Sequence, residues 1–248
     1  MKKAILKLFL AAGLFVFVSC KPVFKTSSLQ YKDYKVENAT VDTAVTSFLK
    51  PYADSVNSTM NMVIATLATD LEKRQPEGTL GNLMADAMKA MAEKYYNTQV
   101  DAAFVNYGGI RLPVVKAGAI TKGKIYELMP FDNIIIIQKI PGTVLKEFLD
   151  HVASRGGWPL AGITMQIKNN KAENVLIKGK PLDLTAVYTI ANSDYVANGG
   201  DKSEMLKAIP QINNGSLFRD ALIEYFASFA KAGKQISVSI EKRVINAQ

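Results

Sequence analysis

The chain of 248 residues carries a formal net charge of +8, 48% hydrophobic residues, one cysteine and one histidine. This length and composition are typical of a globular protein with one sizeable domain or two small ones. One cysteine excludes a disulfide framework and a cysteine-based zinc site, one histidine excludes the usual histidine-rich hydrolytic metal site, and the scattered Lys and Arg residues argue against nucleic-acid binding.

The N-terminus has the pattern of an export signal. Lysines at positions 2 and 3 precede an apolar run over residues 4–18, which is interrupted at Lys7 and Gly13. The run is shorter than the roughly 20 apolar residues that span a bilayer. It ends in Phe17-Val18-Ser19-Cys20, which resembles a bacterial lipoprotein signal, with Phe17 at the position where leucine is usual.

We therefore expect residues 1–19 to be a signal peptide, Cys20 to be lipidated, residues 20–37 to form a polar tether and residues 38–248 to fold as one domain. The protein is then an exported bacterial lipoprotein, anchored to a membrane and facing the periplasm or the cell surface. Cleavage removes three lysines and lowers the net charge of +8 by three. Two alternatives stay open, an ordinary signal peptide that leaves a free cysteine and an uncleaved anchor.

Hydrophobic patterning predicts the first elements of the domain. A helix is predicted over residues 41–56, with Pro51 expected to kink or break it, and a buried strand over residues 62–67. Residues 79–96 form a strongly amphipathic pattern that predicts another helix. Its expected core face consists of Leu80, Leu83, Met84, Ala87, Met88 and Met91.

The later pattern alternates strands and helices. The predicted strands cover residues 102–105, 134–137, 163–167, 174–177 and 187–191; one predicted helix follows Gly142 and another begins at Leu217. Four consecutive isoleucines predict that strand 134–137 is buried on both faces, and Asn169-Asn170 predicts a hairpin turn. The last helix, over residues 217–230, is expected to turn inward Leu217, Ala221, Leu222, Tyr225 and Phe229. The alternation predicts an α/β fold with a mixed β-sheet and flanking helices.

The single histidine, His151, lies in the predicted helix that follows Gly142, without neighbours at metal-ligand spacing. We expect it to be a surface or helix-end residue, and we expect this chain itself to bind no metal or cofactor. No Gly-x-Ser-x-Gly elbow supports a serine triad, and the sequence contains no Walker-type phosphate loop.

Polar residues concentrate in three loops next to predicted strands. These are Asn106-Tyr107-Gly108-Gly109-Ile110-Arg111, Pro130-Phe131-Asp132-Asn133, and Tyr195 with residues 198–201. Strand ends are where open α/β sheets build ligand sites. An arginine there can clamp a phosphate, two aromatic rings can stack on a flat base, and Asp201 can accept hydrogen bonds from ribose hydroxyls. Each residue taken alone is also explained as a turn, core or cap residue.

Together with the segment Arg74-Gln75-Pro76-Glu77-Gly78-Thr79-Leu80-Gly81-Asn82-Leu83, these loops resemble the C-terminal, substrate-binding domain of the 5′-nucleotidase family. The family pattern reads Arg-x-x-Glu-x-x-Leu-Gly-Asn-Leu, Asn-Gly-Gly-Gly-Ile-Arg, Pro-Phe-Gly-Asn, and an aromatic residue followed by Gly-Gly-Asp. The order and spacing agree over residues 38–233. Tyr107 and Asp132 replace glycines of the pattern, and an arginine that some members carry near Asp70 is absent.

The resemblance implies a substrate-binding role for Arg74, Asn106, Gly109, Arg111, Phe131, Asn133, Tyr195 and Asp201. The two arginines match phosphate contacts, and Asn106 and Gly109 match positions near the phosphate and base. The two aromatic residues match the pair that stacks on the nucleobase. Asn133 matches a base contact, and Asp201 matches the residue that holds the ribose.

In the family, a metallophosphatase domain with two metal ions precedes the binding domain, whereas here only the signal and tether precede the match. We therefore expect an extracytoplasmic nucleotide- or nucleoside-binding component that works with a separate metallophosphatase subunit. Divalent metals are then expected only in that partner, and this chain alone is not expected to be active. Two alternatives stay open: a stand-alone ligand-binding lipoprotein without a catalytic role, and a scaffold that has lost binding.

Overall fold

The structure is a computed structural model that describes residues 28, 30–32 and 40–247. The predicted signal peptide, Cys20 and most of the predicted tether lie outside the described residues. The chain divides into residues Met1–Thr46 and a compact body, Ser47–Gln248, which contains the sheets and the candidate site.

The described helices are α1 (Thr43–Met60), α2 (Thr79–Tyr96), α3 (Lys122–Leu128), α4 (Gly142–Ser154), α5 (Asp194–Ala197) and α6 (Phe218–Lys231). The described strands are β1 (Val63–Leu67), β2 (Leu71–Glu72), β3 (Ala102–Phe104), β4 (Val114–Val115), β5 (Gly118–Thr121), β6 (Ile134–Pro141), β7 (Leu160–Ala161), β8 (Ile163–Lys168), β9 (Lys171–Ile177), β10 (Lys180–Pro181), β11 (Val187–Ser193), β12 (Gln211–Leu217) and β13 (Val244–Asn246).

The largest sheet has five strands in the order β12-β6-β11-β3-β7. Strand β11 is parallel to β3 and antiparallel to β6, so the sheet is mixed, as the sequence predicts. A second sheet, β10-β9-β8-β13, contains the predicted hairpin. Its turn residues Asn169 and Asn170 have φ values of 50° and 60°, a left-handed conformation that asparagine tolerates well.

Hydrophobic residues cover both faces of the five-stranded sheet. Along β3, Ala103 packs in the cluster that includes α2 and α6, whereas Phe104 packs in the cluster that includes α4. In β6, Ile135 and Ile137 belong to the first cluster and Ile140 to the second. The isoleucine run therefore lies in a strand that is covered on both sides, which confirms the prediction.

The predicted helices are present, with two corrections. Helix α1 is continuous through Pro51, so the expected break does not occur. All its side chains described are at least partly exposed, so water can solvate the carbonyl that loses its hydrogen bond to proline. Leu217 ends β12 instead of starting the last helix, and the helix places Phe218 and Phe226 in the core. Tyr225 and Phe229, predicted inward, are partly buried at the edge of that core.

Candidate functional site

Three loops meet at one edge of the central sheet because of its strand directions. The loop 105–111 follows β3, and Tyr195 follows β11, which is parallel to β3, so both loops leave at the same edge. Strand β6 is antiparallel to β11, with Ile135 opposite Ser193, and therefore begins at that edge. The residues just before β6 thus lie beside the other two loops, which brings together segments that are far apart in sequence.

These loops enclose a cavity of about 280 Å³. It is lined by Asn106, Gly108, Gly109, Arg111, Phe131, Asn133, Tyr195 and Asp201. Every substrate-binding residue expected from the sequence is on this lining except Arg74. The structure places Arg74 at the surface, where its guanidinium forms a 2.5 Å ion pair with Glu72 and borders a separate narrow cleft.

Asp201 is the centre of the hydrogen bonds on one wall of the cavity. Asn106 Nδ2 donates to Asp201 Oδ2 at 2.7 Å, and the Tyr195 hydroxyl donates to Asp201 Oδ1 at 3.1 Å. Asp201 has a φ of 52°, in the left-handed region that few side-chain-bearing residues adopt. The carboxylate is held by two donors, and its remaining lone pairs can accept hydrogen bonds from a ligand.

His151 contacts the backbone of Asp201. Its Nε2 atom lies 2.9 Å from the backbone oxygen of Asp201, and because a carbonyl only accepts, Nε2 is the donor. The imidazole ring also packs edge-on against Trp158, with ring centroids 5.9 Å apart. Sequence reasoning placed His151 on the surface or at a helix end and missed this contact, because the partner is a backbone atom fifty residues away.

Two aromatic rings are partly exposed on the cavity wall. Phe131 is 38% exposed and Tyr195 is 44% exposed, whereas Phe104 and Phe148 are fully buried. Gly200 makes room for the tyrosine, since a Cβ at this position would lie 2.5 Å from a Tyr195 ring atom. Partly exposed rings that border a cavity provide flat apolar surfaces for stacking.

Asp194 links the two aromatic segments. Its Oδ1 atom accepts hydrogen bonds from the backbone nitrogens of Ile134 and Tyr195, each at 2.9 Å. The first nitrogen begins the strand that follows Phe131, and the second belongs to the other aromatic residue. The spacing between the two rings therefore depends partly on one carboxylate, which sequence reasoning did not single out.

The lining of the cavity also carries positive charge. The exposed Arg111 guanidinium lies 5.8 Å from the Phe131 ring centroid and makes a long, 3.4 Å hydrogen bond to the Gly108 oxygen. Lys73 donates to the Ile110 oxygen at 2.8 Å and lies 4.0 Å from the Tyr107 ring centroid. Desolvation, and secondly repulsion by Arg111, lower the pKa of Lys73 below its ordinary value. The two cations are thus close enough to favour an anion beside them.

The two glycine replacements in the family pattern have identifiable surroundings. Tyr107 begins a short 3₁₀ turn, Tyr107–Gly109, and its ring lies beneath Lys73. Glycine is required at position 109 because the backbone passes close to the Asn106 side chain: a Cβ there would lie 2.7 Å from Asn106 Oδ1. Asp132 forms a 2.6 Å ion pair with Arg219. Both replacements are therefore accommodated without closing the cavity.

Part of the first motif has a structural role. Glu77 Oε1 accepts from Asn82 Nδ2 at 2.7 Å and from the Glu241 nitrogen at 2.8 Å. Its Oε2 atom accepts from the Arg243 nitrogen at 3.0 Å. These bonds attach the segment before β13 to the start of α2, away from the cavity.

Two features are absent from the described part of the chain. It contains no helix long and apolar enough to cross a membrane. It also contains no group of three or more His, Cys, Asp or Glu side chains that is arranged to hold a metal ion.

Comparison with known proteins agrees with the geometry. The family model described as "5'-nucleotidase, C-terminal domain" matches residues 56–208. The 5′-nucleotidase of Vibrio vulnificus is 31% identical over 195 residues, which are 74% of this chain and 34% of that protein. The 5′-nucleotidase of Vibrio parahaemolyticus is 29% identical over 222 residues, which are 85% of this chain and 38% of that protein.

A solved structure shows the same fold. The crystal structure of a 5′-nucleotidase precursor from Thermus thermophilus superimposes with a TM-score of 0.72 at 26% identity. The match covers 84% of this chain and 44% of that one. The chain therefore belongs to the 5′-nucleotidase C-terminal domain family, and it spans about a third of the length of the curated Vibrio relatives.

Proposed function

We propose that this chain is the nucleotide- or nucleoside-binding component of a 5′-nucleotidase-type hydrolase. The observation that carries the proposal is the cavity itself. The expected base, ribose and phosphate contacts, all except Arg74, come from three distant segments and line one cavity. That convergence is difficult to explain by core packing, because the two aromatic rings and Arg111 are exposed there.

The proposed mode of binding follows from the chemistry of the walls. The base lies between Phe131 and Tyr195, where both ring faces contribute stacking. The ribose hydroxyls donate to Asp201, whose carboxylate is already oriented by Asn106 and Tyr195. A 5′-phosphate extends toward Arg111, where the positive charge favours it.

Hydrolysis is assigned to a separate metallophosphatase subunit. The family resemblance supports this division, since the binding half of a 5′-nucleotidase does not itself supply the metal ions. In this proposal the chain binds and orients the nucleotide, and the partner would supply the divalent metal ions for hydrolysis of the phosphate ester. Divalent metals are then needed by the partner and not for binding to this chain.

The location proposed for this component is outside the cytoplasm, on a membrane. The support is the sequence pattern that ends at Cys20, which predicts a lipid anchor for the mature chain. Metabolic labelling with a fatty-acid probe tests this part. Loss of label in Cys20→Ser is expected, and an unlabelled wild-type chain would contradict it.

Calorimetry with adenosine and AMP tests the binding function. The double variant Phe131→Ala plus Tyr195→Ala is expected to weaken adenosine binding by about 2–5 kcal/mol, at about 1–3 kcal/mol for each stacking contact. The matched control is Tyr52→Ala, which removes an exposed aromatic ring of α1 and should leave affinity unchanged. A folded double variant with wild-type affinity would refute the stacking assignment, and a wild type that binds neither ligand would leave the scaffold alternative.

A further inference from the structure

The loop that carries Phe131 is attached to the first turn of helix α6 by one arginine. Arg219 Nη2 forms a 2.6 Å ion pair with Asp132 Oδ1, and Nη1 donates to the Phe131 backbone oxygen at 3.3 Å. The guanidinium also lies 4.4 Å from the Tyr126 ring centroid. One side chain therefore contacts the loop at two consecutive residues while it rests on an aromatic surface.

This arginine lies where a cation is not intrinsically favoured. Its side chain is 11% exposed, and it occupies the N-terminal turn of a helix, where the helix dipole repels positive charge. Its Nε atom is buried without a hydrogen-bond partner. Burial opposes the charge, but hydrogen bonding and attraction to Asp132 nevertheless raise the pKa of Arg219 above its ordinary value.

The carboxylate that compensates this arginine is itself exposed. Asp132 is 78% exposed, so a contribution to the hydrophobic core does not explain it. A glycine at this position, as in the family pattern, has no charge to offer Arg219. A second attachment lies one residue later, where the Phe218 nitrogen donates to the Asn133 oxygen at 2.8 Å. The start of α6 thus holds the loop immediately behind the exposed Phe131 ring.

We propose that Arg219, acting through Asp132 and the Phe131 backbone, is a positioning residue that fixes the Phe131 ring opposite Tyr195. It does not line the cavity and does not contact the ligand. It acts by restricting the loop, so that the ring is in place before a base arrives. This inference rests on the proposed nucleoside binding for its consequence, whereas the restriction of the loop exists without any ligand.

A double-mutant cycle tests the consequence. Arg219→Met keeps most of the length of the side chain but removes its charge and its hydrogen-bond donors. We expect it to weaken adenosine binding about tenfold, which lies within the range of interaction energies measured between residues in contact. In a Phe131→Ala background the same change is expected to have no further effect. Asp132→Gly is the second variant and should reproduce most of the loss. The control is Lys50→Met, which breaks an exposed 2.7 Å ion pair with Asp54 in α1.

Fluorescence tests the loop without a ligand. In Phe131→Trp, the new indole joins a single native tryptophan, Trp158, which is 2% exposed and serves as a constant background. Adding Arg219→Met or Asp132→Gly is expected to lower the anisotropy of the new indole and to increase its quenching by acrylamide. Adding Lys50→Met should change neither quantity.

The outcomes separate the two proposals. If the wild type binds adenosine and Phe131→Ala weakens binding, but Arg219→Met and Asp132→Gly do not, only the positioning role is wrong. Equal losses in the wild-type and Phe131→Ala backgrounds would also overturn it. If the wild type binds neither adenosine nor AMP, the proposed function fails, and the anisotropy alone decides whether Arg219 restrains the loop. Should Arg219→Met fail to fold, Asp132→Gly provides the same comparisons.

Discussion

Asp201 combines three constraints on a single residue. Its backbone oxygen accepts from His151, its carboxylate accepts from Asn106 and Tyr195, and its backbone nitrogen donates to the Tyr195 hydroxyl at 3.2 Å. The left-handed conformation of Asp201 is maintained by these contacts from separate elements. We therefore expect this carboxylate to distinguish a ligand that donates two hydroxyls from one that does not.

Asp201→Asn is therefore expected to reduce the preference for a ribose. The new amide can accept from Asn106 through its oxygen and donate to the Tyr195 hydroxyl through its NH₂ group, so the contacts within the wall are kept, but the charge is lost and fewer lone pairs remain for the hydroxyls of a ligand. Hydrogen bonds to charged groups contribute about 1.5–3 kcal/mol, and adenosine binding should weaken by about this amount. Calorimetry with adenosine and 2′,3′-dideoxyadenosine measures the preference.

The comparison of the two ligands contains its own control. Dideoxyadenosine lacks the hydroxyls, so its affinity should change much less in Asp201→Asn than that of adenosine. Equal weakening for both ligands would mean that Asp201 shapes the base site and does not hold the ribose. Unchanged affinity for both would exclude a role in binding.

At the scale of elements, the sequence predicts the long helices and strands but not the shortest strands. The α2 prediction is confirmed at both ends, because its apolar residues recur at helical spacing and Gly78 and Asn97 flank the helix. Strands β2, β4 and β13 have two or three residues, which is too short for any period to be detectable. Their positions depend on partners distant in the chain, as when Val244 pairs with Met165.

The candidate site is likewise only partly predictable from the sequence. Gly-Gly turns, exposed aromatics and Arg111 are visible as loop motifs, and the family resemblance orders them along the chain. Asp194, Lys73 and Arg219 act through backbone atoms or aromatic rings of other segments. Nothing in their local sequence distinguishes them from ordinary cap or surface residues. Only the folded structure brings them into contact with the segments that line the cavity.

Helices α2 and α6 are joined by a charged contact that depends on pH. Glu224 of α6 accepts from Lys94 and, at 2.6 Å, from the Tyr95 hydroxyl, both on α2. The bonds from Lys94 and then Tyr95 lower the pKa of Glu224 below its ordinary value of 4.5. Its ionised form therefore stabilises the folded state at pH values above 4.5, and this stabilisation is lost as the pH falls through the lower folded-state pKa.

We expect the melting temperature of Glu224→Gln to lie below that of the wild type at about pH 7 and to approach it at about pH 3. Thermal unfolding followed by circular dichroism across this range gives the difference. Glu127→Gln is the control, since the ion pair between Glu127 and Lys124 lies within the short helix α3 and therefore does not join two helices. A difference that stays constant or grows on acidification would show that Glu224 acts by packing and not by charge.

At the scale of the whole molecule, the proposed division of labour needs the two components to meet. Covalent linkage in a two-domain nucleotidase keeps the binding and catalytic parts at a high effective concentration. In the proposed arrangement, attachment of both components to one membrane through lipid anchors would replace part of that effect.

This division predicts that binding and turnover separate in the purified chain. Adenosine and AMP are expected to bind equally well with EDTA and with added divalent metal, because Phe131, Tyr195 and Asp201 need no metal for their contacts. Phosphate release from AMP with added divalent metal is expected to stay at the background rate. Calorimetry and a phosphate assay measure the two quantities on the same preparation.

The control for the turnover assay is His151→Gln, since His151 is the one histidine of the chain. Phosphate release that copurifies with the protein through repeated steps, survives this substitution and is abolished by EDTA would show that the chain is itself a metal-dependent hydrolase. Release that disappears on further purification comes from a contaminant and leaves the proposal standing. If EDTA abolished nucleotide binding, a metal ion would have to bind in the cavity of this chain. The proposal that only the partner supplies metal ions would then be wrong.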